Sequence, residues 1–91
     1  MVALWRIDRV KEEKGTPSST SIYNELRAGT LTKPVAIGRR SVGWPDNEIK
    51  AINAARIAGK NDDEIRDLVN HLHARRLENL EAELSGGVND I

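Results

Sequence analysis

Residues 33–44 read KPVAIGRRSVGW, and the organisation of the chain follows from this run. Val35, Ala36 and Ile37 form a β-prone stretch that meets Gly38-Arg39-Arg40-Ser41 and resumes at Val42 and Trp44. Two such stretches around a glycine-containing connection predict a hairpin, here with two adjacent cations at its tip. Pro34 lacks the N–H that a ladder needs, so it suits the start of an edge strand. Pro45 suits the first turn of a following helix, where a missing N–H leaves nothing unpaired.

Working outward toward the N-terminus, GTPSSTS at 15–21 is a cluster of turn formers that doubles as a helix start. Ser18 or Ser19 supplies an oxygen to the free N–H groups of the first turn. The helix runs to about Ala28 and stops at Gly29, with Ile22 and Leu26 sharing its buried face. A shorter helix precedes it, from about Asp8 to Lys14, with Ile7 and Val10 inward and Gly15 as its stop. Val2, Leu4 and Trp5 read as a short lead-in strand or an extended arm.

On the C-terminal side, Ile49, Ile52 and several alanines carry a helix toward Ile57, and Gly59 ends it. Asn61 with Glu64 three residues later is a capping box that uses Asn instead of Ser or Thr. A long charged helix follows, from Asp62 to about Leu84. Ile65, Leu68, Val69 and Leu72 form one apolar stripe, and Leu77, Leu80 and Leu84 form a second one rotated from it, so that either one stripe packs on the domain while the other meets a partner or the helix folds back and buries both. The predicted units are residues 1–58, a C-terminal helix at 59–84 and a flexible tail at 85–91. The fold class is mainly α with a small β hairpin.

Composition narrows the function. The chain has 91 residues, 38% hydrophobic and 31% charged, enough for one soluble domain and a modest core. It contains no Cys, which removes disulfides, thiolate metal sites and Cys nucleophiles. His71 and His73 lie about 200° apart around a helix and cannot share a metal ion, so they read as exposed helix histidines. Ser18 to Ser21 have no nucleophile elbow and no base beside them. Asp62, Asp63, Glu64 and Asp67 lack calcium-loop spacing and suit a helix N-terminus. No catalytic, cofactor or metal site is expected, and no apolar run is long enough to cross a bilayer. Charge at Arg6 and Asp8 comes too early for a signal-peptide core, so a cytoplasmic location is expected.

The net charge is zero, but it is unevenly divided. Residues 1–44 hold eight Lys and Arg against four acids, and residues 45–91 hold six against ten. Two short helices joined by a tight turn, followed by a cation-tipped hairpin, therefore sit in the basic half. In such a helix pair the second helix enters the major groove, where Asn can pair with adenine and Arg with guanine. The outward residues of that helix would be Ser19, Thr20, Tyr23, Asn24 and Arg27, with Ser18 at its start. Arg39 and Arg40 would meet the backbone or minor groove, and Lys33 would either meet a phosphate or stand as a solvated strand-end lysine.

RIDRV at 6–10, SIYNELRAG at 21–29, KPVAIGRRSVGW at 33–44 and EIKAI at 48–52 together resemble the AlpA family of phage and genomic-island regulators. The resemblance spans Arg6 to Ile57. It implies a winged helix-turn-helix of the kind shared with excisionases and MerR-type DNA-binding domains. By position, it puts Ser19 and Thr20 at the opening of the recognition helix, with Tyr23, Asn24 and Arg27 on its exposed side. It puts Arg39 and Arg40 in the wing, and has Trp44 closing the wing against the core. The chain departs from the family pattern between Gly15 and Tyr23, with one residue more and Pro17 where a serine often stands. Ser18 and Ser19 both remain open as the helix start. The implied function is sequence-specific binding of double-stranded DNA by a transcriptional regulator, an excision-directing factor or both, in a prophage or genomic island. Expected partners besides DNA are a second copy, in a homodimer or higher assembly through the Ile65–Leu84 helix, and an integrase or RNA polymerase. The alternative is a protein-interaction adaptor that uses the acidic C-terminal helix without binding DNA.

Overall fold

A computed structural model describes residues 3–89 and runs β1 (Leu4–Trp5), α1 (Ile7–Lys14), α2 (Ser19–Ala28), β2 (Val35–Ala36), β3 (Val42–Pro45), α3 (Asp46–Ile57) and α4 (Asp62–Asn89). The chain is mainly helical with a small antiparallel sheet, as its sequence predicts. The hairpin is not alone: β1 pairs with the far side of β3, so the sheet has three strands in the order β1-β3-β2. Leu4 faces Pro45 and Trp5 faces Trp44, while Val35 faces Gly43 and Ala36 faces Val42. The N-terminal segment is therefore a strand and not a free arm. Val2, also expected there, lies outside the described residues.

Side chains alternate across a strand, so Trp44 and its partner Trp5 point to one face and Gly43, Pro45, Leu4 and Val35 to the other. Trp44 is fully buried, and its indole N–H donates to the Thr32 carbonyl at 2.8 Å. Trp5 is half-buried, with Arg9 of α1 and Lys50 of α3 at 5.2 and 5.5 Å from its ring centroid. The sheet packs closely at Gly43: a Cβ there would lie 2.5 Å from Cδ1 of the exposed Ile37 and 3.3 Å from both Leu4 Cβ and the Trp5 carbonyl, so these neighbours would have to shift.

The helices start and stop where local chemistry dictates. Gly29 ends α2 at φ +81°, a conformation that a Cβ disfavours. Asn61 Oδ1 accepts from the Glu64 N–H at 2.9 Å, and Glu64 returns the bond to the Asn61 N–H at 3.3 Å. That bond and the neighbouring Lys60 hold the Glu64 carboxyl below its ordinary range. Pro45 differs from expectation. Its pairing with Leu4 keeps it in β3, so it caps α3 and is not in its first turn.

One cluster gathers Val10, Ile22, Leu31, Trp44, Ile49, Ile52, Ile65, Val69 and Leu72. The first three turns of α4 thus pack into the same core as residues 1–58. Of the two arrangements open to the Ile65–Leu84 helix, the structure takes the one that divides the stripes. Ile65, Val69 and Leu72 are used up inside the subunit, whereas Leu77, Leu80 and Leu84 are 61%, 53% and 62% exposed. The backbone of α4 runs to Asn89, past the expected end at Leu84, while Asp90 and Ile91 of the tail expected at 85–91 lie outside the described residues. Without proline its i→i−4 bonds continue, and each glycine costs only about 1 kcal/mol. Among the described residues, no helix is long and apolar enough to cross a membrane.

Candidate nucleic-acid interface

Ser18, not Ser19, caps α2. Its backbone is extended, and its Oγ accepts from the Thr20 N–H at 3.1 Å. That leaves Ser18 its O–H and one lone pair to offer outward. Ser19 lies on the same helical line as Ile22 and Leu26 and is half-buried, so it leans toward the core more than its expected outward role requires. Thr20, Tyr23, Asn24 and Arg27 follow at i, i+3, i+4 and i+7. Thr20, Tyr23 and Asn24 are exposed, as is Arg27. They make one polar face opposite the fully buried Ile22, with Tyr23 48% exposed.

The hairpin presents its cations outward. Ser41 accepts backbone bonds from Ile37 at 2.9 Å and Gly38 at 3.4 Å, which closes the turn. Arg39 and Arg40 are exposed at the tip. Lys33 is also exposed, but its backbone is held firmly: its N–H donates to His73 Nε2 at 3.0 Å and its carbonyl accepts from Arg76 at 2.7 Å.

Sequence reasoning missed the residues that hold this connection. Arg66 Nε donates to the Ala28 carbonyl at 2.7 Å, so α4 grips the α2–β2 segment at both ends. Arg76 also makes two bonds to Glu48 of α3, at 2.6 and 2.8 Å. His73 is therefore not a merely solvated helix histidine. Burial and the nearby Arg76 depress its pKa below 6.5, and its neutral ring accepts the Lys33 N–H. Nothing local announces these contacts, because the partners lie 28 to 43 residues apart.

Cations without partners concentrate in this region. Between Gly15 and Pro45 the only acid is Glu25, and it pairs with Lys14 at 3.1 Å and Arg56 at 4.0 Å. Arg27, Lys33, Arg39 and Arg40 have no acidic partner among the described residues, whereas Arg9, Lys11, Lys14, Lys50, Arg56, Lys60, Arg66 and Arg76 each have one. Arg6 and Arg75 also lack one there, but each stands apart from this run of sequence. No described group of three or more His, Asp or Glu side chains is arranged to hold a metal ion. No protein-family profile matches this chain, and neither the curated proteins nor the solved structures compared with it give a significant match.

Proposed function

We propose that this chain is a non-catalytic, sequence-specific DNA-binding regulator of the AlpA-like kind, serving a prophage or genomic island in transcription, excision or both. In this reading it is a winged helix-turn-helix protein. Thr20, Tyr23, Asn24 and Arg27 of α2 enter the major groove, and Arg39 and Arg40 of the hairpin lie on the backbone or in the minor groove. The observation that carries the reading is the run of four cations without acidic partners on α2, its following loop and the hairpin. Cations left unpaired by their own protein are those available to replace counterions on phosphate. The exposed polar face of α2 supplies side chains of the types that read base edges.

The test is fluorescence anisotropy of the full chain on duplexes tiled across the DNA flanking its gene, over a salt series. Affinity for one duplex should exceed that for scrambled sequence and should fall steeply with salt. Arg39→Ala with Arg40→Ala should flatten the log–log salt slope by about 2, near 0.9 for each phosphate no longer neutralised. Asn24→Ala should reduce discrimination between duplexes more than overall affinity. An unchanged slope in the Arg39 and Arg40 variant would refute the wing assignment. The exposed Leu77, Leu80 and Leu84 favour the adaptor as the second reading. It would be preferred if no duplex bound even at low salt.

A further inference from the structure

We propose that the outer face of the sheet and the projecting end of α4 form a two-fold contact with a second copy of this chain. The contact draws on the same Arg39 and Arg40 that the proposed wing uses, so it is tested in the absence of DNA. Leu4, Val35 and Pro45 of the sheet and Leu80 of α4 line an open groove of about 540 Å³. Leu4 is 44% exposed and Leu80 53%. Ile37, 47% exposed and seated over Gly43 beside Leu4, continues this apolar strip toward the hairpin tip. An exposed apolar strip bordered by charge is the usual mark of an association surface.

The charges at its two ends choose the occupant. Arg39 and Arg40 follow Ile37 at one end, and Glu81 and Glu83 flank Leu80 and Leu84 at the other. None of the four has an ion-pair partner among the described residues. A two-fold axis lays the strip on itself in opposite directions, so the cationic end of each copy meets the carboxylate end of the other. Simple side-by-side pairing of the two α4 ends is disfavoured, because it would juxtapose Glu78, Glu81 and Glu83 of both chains. A small polar ligand is disfavoured as well, since Glu48 and Arg76 in the groove already satisfy each other at 2.6 Å.

Sedimentation velocity of the full chain over a concentration series tests this, with circular dichroism confirming that each variant folds. The wild type should show a monomer–dimer equilibrium that weakens with added salt, and Leu80→Glu should be monomeric. Arg39→Glu with Arg40→Glu should raise the dimer Kd more than about tenfold, as should Glu81→Arg with Glu83→Arg, because each places like charges together. Combining all four reversals should restore the wild-type constant. A wild type that stays monomeric up to about 1 mM overturns the proposal. So does a dimer indifferent to the reversals, or a four-fold variant that remains monomeric.

Discussion

Glu48 is 3% exposed and carries a charge that burial would ordinarily penalise heavily. Two bonds from Arg76, whose side chain is 29% exposed, make that position tenable. Removing one partner of such a pair costs more than removing both. Arg76→Ala should therefore destabilise the protein by about 3 kcal/mol in urea unfolding, and Arg76→Ala with Glu48→Met by appreciably less. Thr32 presents the opposite case. Its hydroxyl is fully buried and meets no hydrogen-bond partner among the described residues, while its carbonyl holds the Trp44 indole. Thr32→Val keeps the shape and the carbonyl while deleting the orphaned oxygen, so it should be neutral or stabilising by up to about 1 kcal/mol.

Among the helices, α4 acts as the strap that sets the α2–β2 connection. Arg66, His73 and Arg76 bond to backbone atoms of Ala28 and Lys33, and Ile65, Val69 and Leu72 anchor the same turns in the core. His73 gives the strap a pH dependence. Its burial and the charges of Arg76 and Lys33 favour the neutral ring, against the opposing pull of Glu48. The unfolded chain therefore takes up the proton first as pH falls. The contribution of His73 to stability is complete above pH 6.5 and is lost as pH drops through its lower folded value. Urea midpoints should decline over that interval, and His73→Gln, which keeps an acceptor but cannot titrate, should flatten the decline. At the other end of α4, Asn61→Ala removes the cap oxygen and should cost about 1 kcal/mol.

For the molecule in its entirety, stability and the proposed binding surface are separable. The cations assigned to DNA lie outside the ion-pair framework of the single subunit, so at protein concentrations where the chain is monomeric Arg39→Ala with Arg40→Ala should change unfolding free energy by less than about 0.5 kcal/mol. Loss of DNA affinity in that variant with an unchanged urea midpoint would locate the effect at the surface. The 46 Å long axis of the protein is close to the roughly 42 Å expected of a helix the length of α4. The compact core thus occupies only part of the molecule's length, and the leucines at the far end of α4 are left exposed.

Much of the fold could be read locally. The Ser18 cap, the Gly15 and Gly29 stops, the Asn61–Glu64 box and the Gly-Arg-Arg turn are set by interactions within a few residues. The exposed face of α2 could likewise be read from Ile22 and Leu26, because helical geometry puts Thr20, Tyr23, Asn24 and Arg27 away from them. Tertiary packing alone decided that β1 joins β3, that Ser19 leans inward, that Pro45 stays in the strand, and that α4 divides its two leucine-bearing halves between core and solvent. It also decided that His73 and Arg76 grip Lys33. Those outcomes depend on groups some 40 residues apart being brought into hydrogen-bonding range, and no periodicity or turn propensity encodes that encounter.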